Sequence, residues 1–134
     1  MDFWTRLELA RTRWNVLEHS FYQRWSGGTL TREELGVYAG QYGHAVRALA
    51  QASASAARAA EPELRAELER HAKEEADHVR LWDGFTTAAG GDVAAAPTAE
   101  TEGCARAWAG ADERSLLEGL VTMYAIESGQ PRLP

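Results

Sequence analysis

The chain has 134 residues, of which 45% are hydrophobic, a formal net charge of −6 and a single cysteine. That length supports one hydrophobic core, and the acidic balance argues against a nucleic-acid backbone as partner. Cys104 alone excludes an intrachain disulfide and fits a reducing cytoplasm; no apolar run is long enough to cross a membrane, and MDFWTRLELARTRW does not have the pattern of a signal peptide.

Alanine is abundant, none of the four prolines lies inside a helical pattern, and no alternating strand pattern with hairpin turns is present. The composition predicts an all-α fold of about five helices in a single domain over residues 1–134. Residues 2–19 read as a first helix, with Asp2 as N-cap and Phe3, Leu7, Ala10, Trp14 and Leu17 on one face. Gly27 and Gly28 break the chain after it. Thr31-x-x-Glu34 is a capping box that opens a second helix, with Leu35, Tyr38, Tyr42, Ala45 and Leu49 as its apolar seam. That helix runs to about Ala60, through ALAQASASAARAA, whose small residues let another helix approach closely. Pro62 suits the first position of a third helix, which stops at Gly90 and Gly91. A fourth helix covers residues 98–109 and ends at Gly110. Asp112 is the expected N-cap of a fifth, on which Leu117, Leu120, Tyr124 and Glu127 share a seam, and Gly129 and Pro131 end it.

The third helix carries the unusual feature. Leu64, Leu68, His71, Glu75, His78, Trp82 and Phe85 follow each other at alternating steps of four and three, which places them on one face. The apolar ends of this seam should be buried, and a carboxylate in its middle is costly unless compensated. Two imidazoles beside it suggest a metal ion. Glu75-x-x-His78 is the pair that helical di-iron and di-manganese proteins use, with further Glu residues from facing helices, and Glu127 is the candidate for such a Glu. Carboxylate and imidazole donors suit iron, manganese or zinc, and the absence of thiolates argues against an iron–sulfur cluster or structural zinc. The plainer reading is an ordinary helix surface, because Glu and His pairs are common there. Glu74 lies off the seam and reads as solvated. His71 is either a third ligand, a partner to one, or a core histidine bonded to a carboxylate. His19 and His44 read as structural or exposed.

Three segments then resemble a known family. HSFYQRWSGGTLTREELGVYAGQYGHAV is similar to the front of the TenA/PQQ-synthase-like proteins, which share the heme-oxygenase-like helical fold, with His19, Phe21, Gly28 to Leu30 and Tyr38 to Tyr42 at the matching places. EEADHVRLWDGFTTAAG resembles the helix that carries the first iron ligands in heme-oxygenase-like di-iron oxidases. MYAIESGQP is similar to their Tyr-Ala-x-Glu-Ser-x-x-Pro motif. The resemblance implies Glu75 and His78 as ligands to one iron and Glu127 as a bridging ligand. It implies a non-haem oxidase or oxygenase in which two iron ions use O2 to oxidise a small molecule, such as an amino acid or fatty acid in secondary metabolism; manganese or no metal are the alternatives. Tyr38, Gln41, Tyr42 and His44 would line the substrate side, or simply pack the core.

The family's chains continue past the Glu-Ser motif into a helix whose His and Asp residues complete the two-iron site, and this sequence reaches Pro134 without one. The expectation is therefore the N-terminal part of a heme-oxygenase-like bundle, either a fragment or one half of a split enzyme whose partner supplies the missing helix. A homodimer that pools two copies of Glu75, His78 and Glu127 is the less favoured route to a carboxylate-rich site. Two other functional classes stand beside the oxidase: a non-catalytic helical partner or scaffold subunit, and a metal-independent enzyme of the TenA/PQQ-synthase type. A missing helix also predicts an exposed apolar groove.

Overall fold

Among the residues described by the computed structural model, 1–110 and 114–133, there are six α-helices and no strand. The chain divides into two compact units, Met1–Leu30 with Ala125–Pro134, and Thr31–Tyr124.

In the first unit, α1 spans Phe3–Arg13, and Asp2 Oδ1 accepts from the Thr5 amide at 2.8 Å as its cap. The helix expected over residues 2–19 stops early. Asn15 takes the Leu17 amide on its side chain and starts a 3-10 turn at Val16–Glu18, and His19 Nδ1 takes the Phe21 amide at 3.1 Å to cap α2, Ser20–Ser26. Side chains that bond nearby amides compete with the helix ladder, and here they win over the apolar periodicity. The expected face is thereby broken, and Phe3 and Trp14 are exposed. Gly28, at φ +71°, takes the left-handed conformation that closes the turn after α2.

The second unit is built on α3, Arg32–Ala59, which opens with the capping box on Thr31 and Glu34. α4 spans Pro62–Ala88 with the proline in its first turn, and α5 spans Ala99–Ala109, capped by Thr98 and ended by Gly110. Both pack on α3. The buried face of α3 is almost entirely small, including Ala39, Ala45, Ala48, Ala52, Ser53 and Ala56, with Leu49 as its one large member. Small residues let the backbone after α4 come very close. A Cβ on Gly91 would overlap the Gly36 carbonyl, and one on Gly40 would lie 2.8 Å from the Asp92 carbonyl oxygen. Two side chains of α4 then bond the α3 backbone directly: Trp82 Nε1 donates to Ala39 O at 2.8 Å, and the buried Thr86 hydroxyl lies 3.3 Å from the same oxygen.

α6 spans Leu116–Glu127. The Asp112 cap falls outside the described residues. The cap that is present is Ser115, whose hydroxyl takes the Glu118 amide while Glu118 Oε2 takes the Ser115 amide at 2.8 Å. Ser115-x-x-Glu118 is a second capping box, legible in the sequence by the same rule that found the first. Among the described residues, no helix is long and apolar enough to cross a membrane.

Candidate metal centre and its surroundings

The expected seam of α4 holds at His71 and Glu75 and departs from the buried face at Leu64 and His78. Leu64, expected inside, is 43% exposed. Past Glu75 the buried side continues through Val79, Trp82, Thr86 and Ala89, with Thr86 and Ala89 fully or nearly buried, while Phe85 is half-buried. Steps of four and three fit this face as well as the expected one, and the Trp82 and Thr86 hydrogen bonds to Ala39 select it. His78 therefore lies at the border of the buried face, with 55% of its side chain exposed, whereas the side chain of Glu75 is only 7% exposed.

Glu75 is the one carboxyl residue buried in α4. His78 Nδ1 lies 3.2 Å from Glu75 Oε2, one turn along the helix. This contact orients the imidazole and leaves Nε2 as its outward nitrogen. His71, half-buried one turn before Glu75, has Nδ1 4.0 Å from a carboxylate oxygen of exposed Glu74. Glu74 is exposed, as expected for a residue off the seam, and pairs with Arg70 at 2.6 Å on that surface.

Trp82 anchors an aromatic cluster four residues after His78. Its ring centroid is 4.9 Å from those of Tyr42 and Phe85 and 6.2 Å from that of Tyr38; Tyr38 and Tyr42 are stacked at 5.5 Å, and Trp108 of α5 meets Tyr42 edge-on. All five rings are half-buried. The other two residues expected on the substrate side bond the backbone ahead of α5. Gln41 donates to Ala96 O and accepts from the Thr98 amide, and His44 Nε2 lies 2.8 Å from Ala95 O, so together they hold the loop that leads into α5. His44 also lines a shallow groove of about 270 Å³ beside α3 and α5, with Arg47, Gln51, Pro97, Glu102 and Arg106. Arg47 is held there by Asp83 of α4 at 2.6 Å.

Glu127 closes α6 and belongs to the first unit, where it is half-buried. The expected seam of α6 needs correction. Leu117 and Tyr124 are 70% and 45% exposed, and the buried positions are Gly119 and Met123. Glu127 follows Met123 by one turn and so extends the buried face by a different row of residues. Immediately after it, Ser128 Oγ accepts from Arg11 Nη2 of α1, a contact between residues 117 apart that no local signal announces.

The sequence pattern of the TENA/THI-4/PQQC family matches residues 7–129. The 4-aminobenzoate synthase of Chlamydia trachomatis is 32% identical over 145 residues, which covers 99% of this chain and 62% of that protein. The 4-aminobenzoate synthase of Chlamydia muridarum is 31% identical over 143 residues, covering 98% of this chain and 60% of that protein. The chain thus spans less than two thirds of the length of these relatives. No solved structure matches it at comparable significance.

Proposed function

The chain belongs to the TENA/THI-4/PQQC family, and we propose that it is a non-haem iron-dependent oxidase or oxygenase, or part of one, that uses O2 to oxidise a small molecule in a biosynthetic route. The observation that carries this reading is the burial of Glu75 beside His78. A buried carboxyl group is costly without a compensating charge, and a cation bound by its oxygens supplies one. Carboxylate and imidazole donors on one helical turn fit a ferrous ion, and manganese equally by donor type. Glu75 and His78 would hold one ion, with His71 as a further nitrogen donor, and Glu127 would serve as the bridging carboxylate of a two-iron set. When bound, ferrous iron supplies the electrons that activate O2.

The chain's own residues have distinct tasks in this reading. In the metal-free chain His78 Nδ1 lies against Glu75 Oε2, and an ion held by both residues would take the place of that contact. Trp82, tied by its indole N–H to Ala39 O, holds the aromatic cluster one turn from His78. The names of the relatives make an aminobenzoate the first product to test for, with an amino acid or fatty acid as the other candidate substrate classes.

Anaerobic Fe(II) titration with metal analysis, on the chain alone and together with any adjacent-gene product, tests the proposal. Two irons per chain, lost in Glu75→Ala and in Glu127→Ala, support it. No uptake under either condition removes it.

A second reading, a helical subunit that acts only with another polypeptide, is favoured by α6. Leu117, Val121 and Tyr124 form an exposed apolar row at steps of four and three, on the side of the helix away from Gly119 and Met123. A helix apolar on both sides is normally covered on both. Sedimentation with and without the adjacent-gene product distinguishes a subunit from a self-sufficient chain.

A further inference from the structure

Within the first unit, one arginine reaches from the beginning of the chain to the end of α6. Arg11 stands in the last turn of α1, and its side chain is 19% exposed. Its Nη1 meets Glu8 Oε1 at 2.7 Å, and its Nη2 donates to Ser128 Oγ. The planar guanidinium therefore reaches both its own helix and the residue that follows Glu127. A planar fork with fixed donor directions suits this bridging better than a flexible ammonium.

The end of α6 needs such a partner. The last carbonyls of any helix lack intrahelical donors and favour a nearby positive charge. The last turn of α6 contains no basic residue, and the chain passes at once through Gly129 into a 3-10 turn at Gln130–Arg132. A carboxylate on the final residue of a helix is poorly fixed unless something outside the helix holds that turn. Arg11 brings a cation and a hydrogen bond to that place, and Glu8 fixes the direction from which it comes.

We propose that Arg11 is the positioning residue for Glu127: it pins the Glu127-Ser128 turn to α1, so that the Glu127 carboxylate is presented in one orientation. The proposal rests on the reading of Glu127 as a metal ligand. It adds that the N-terminal helix supports Glu127, although it donates no ligand itself. Glu8 acts in the same relay, one step further out.

Two readouts on the full chain test it, with Co(II) as the metal probe. In Arg11→Met, amide hydrogen exchange over residues 125–128 should accelerate while the amides of α3 and α4 stay protected. Co(II) affinity should fall by about 10- to 100-fold, the usual effect of removing a residue that orients a ligand, and the visible bands of bound Co(II) should shift. Arg11→Lys should restore part of the affinity. Ser128→Ala removes the same contact from the other side and should reproduce both effects, even if Arg11→Met folds poorly. Unchanged exchange at residues 125–128 in both Arg11→Met and Ser128→Ala would overturn the positioning role. A wild-type chain that takes up no Co(II) would instead overturn the metal reading beneath it, so the two failures are told apart.

Discussion

Glu75→Met should make the metal-free protein more stable while abolishing metal binding, and the size of the effect follows from the surroundings of one carboxyl group. Glu75 is 5% exposed. A carboxylate offers about four acceptor sites, and among the described residues Glu75 makes one hydrogen-bonding contact, to His78 Nδ1 at 3.2 Å. Burying a polar group with incomplete hydrogen bonding costs about 1–3 kcal/mol. Methionine has a similar length and volume and adapts to irregular gaps, so the substitution removes that cost without opening a large cavity. It also gives up the His78 contact, worth about 1 kcal/mol at most because His78 is largely exposed. The balance is a gain of about 1–2 kcal/mol, the sign often seen when buried ionic groups are replaced by apolar ones.

For a chain of this length, that gain corresponds to a rise in Tm of about 3–8 °C. Urea unfolding in the presence of a chelator measures it, and an unchanged m-value shows that the comparison concerns stability alone. Glu75→Gln keeps an acceptor for His78 and should fall between the wild type and Glu75→Met. In Fe(II) titration only the wild type should bind. A residue retained for function at the expense of stability behaves in this way. If Glu75→Met instead loses 1 kcal/mol or more without metal, Glu75 holds the fold through its hydrogen bond, and burial no longer argues for a metal site.

The other predictions concern the frame around that site. Gly91→Ala places a Cβ onto the Gly36 carbonyl and 3.0 Å from Thr86 Cγ2, so the turn after α4 must retreat from α3; a loss of about 1–3 kcal/mol in thermal or urea unfolding is expected. Thr86→Val keeps the shape of a buried side chain and removes its hydroxyl from Trp82 O and Ala39 O. Because Trp82 Nε1 still serves Ala39 O, this loss should be only about 1 kcal/mol, measured in the same way. The Ser115 amide and hydroxyl hold the Glu118 carboxyl below the usual carboxylate range. The capping contribution to α6 is therefore complete above the unfolded pKa, near 4.3, and is lost as pH falls through the lower folded value. NMR titration of Glu118 should give a midpoint below that of a model peptide, and Ser115→Ala should move it upward.

The parts of the fold that could be read from sequence are those fixed by contacts within one turn. Asp2, the Thr31 box and Thr98 each act on amides at most a few residues away, Pro62 brings a fixed φ to the first turn, and each begins a helix where its chemistry predicts. The break after α1 obeys the same rule, but Asn15 and His19 were masked by an apolar periodicity running across them. What sequence could not decide was rotation. On α6 almost every side is apolar, so the rows through Leu117 and through Met123 fit equally well, and only packing separates them. On α4 the choice between residues 78 and 79, and between 85 and 86, depends on the Ala39 carbonyl of another helix. The approach of Gly91 to Gly36 and the bond from Arg11 to Ser128 join residues far apart in the chain, and neither leaves a local trace. This explains why the candidate ligands do not stand equally. The expected and the observed faces of α4 diverge after Glu75, so His78 moved to the border while Glu75 lies on both. A site hypothesis anchored at a position shared by every helical row consistent with the sequence survives an error in rotation, and Glu75 is the position on α4 to which experiments should first be directed.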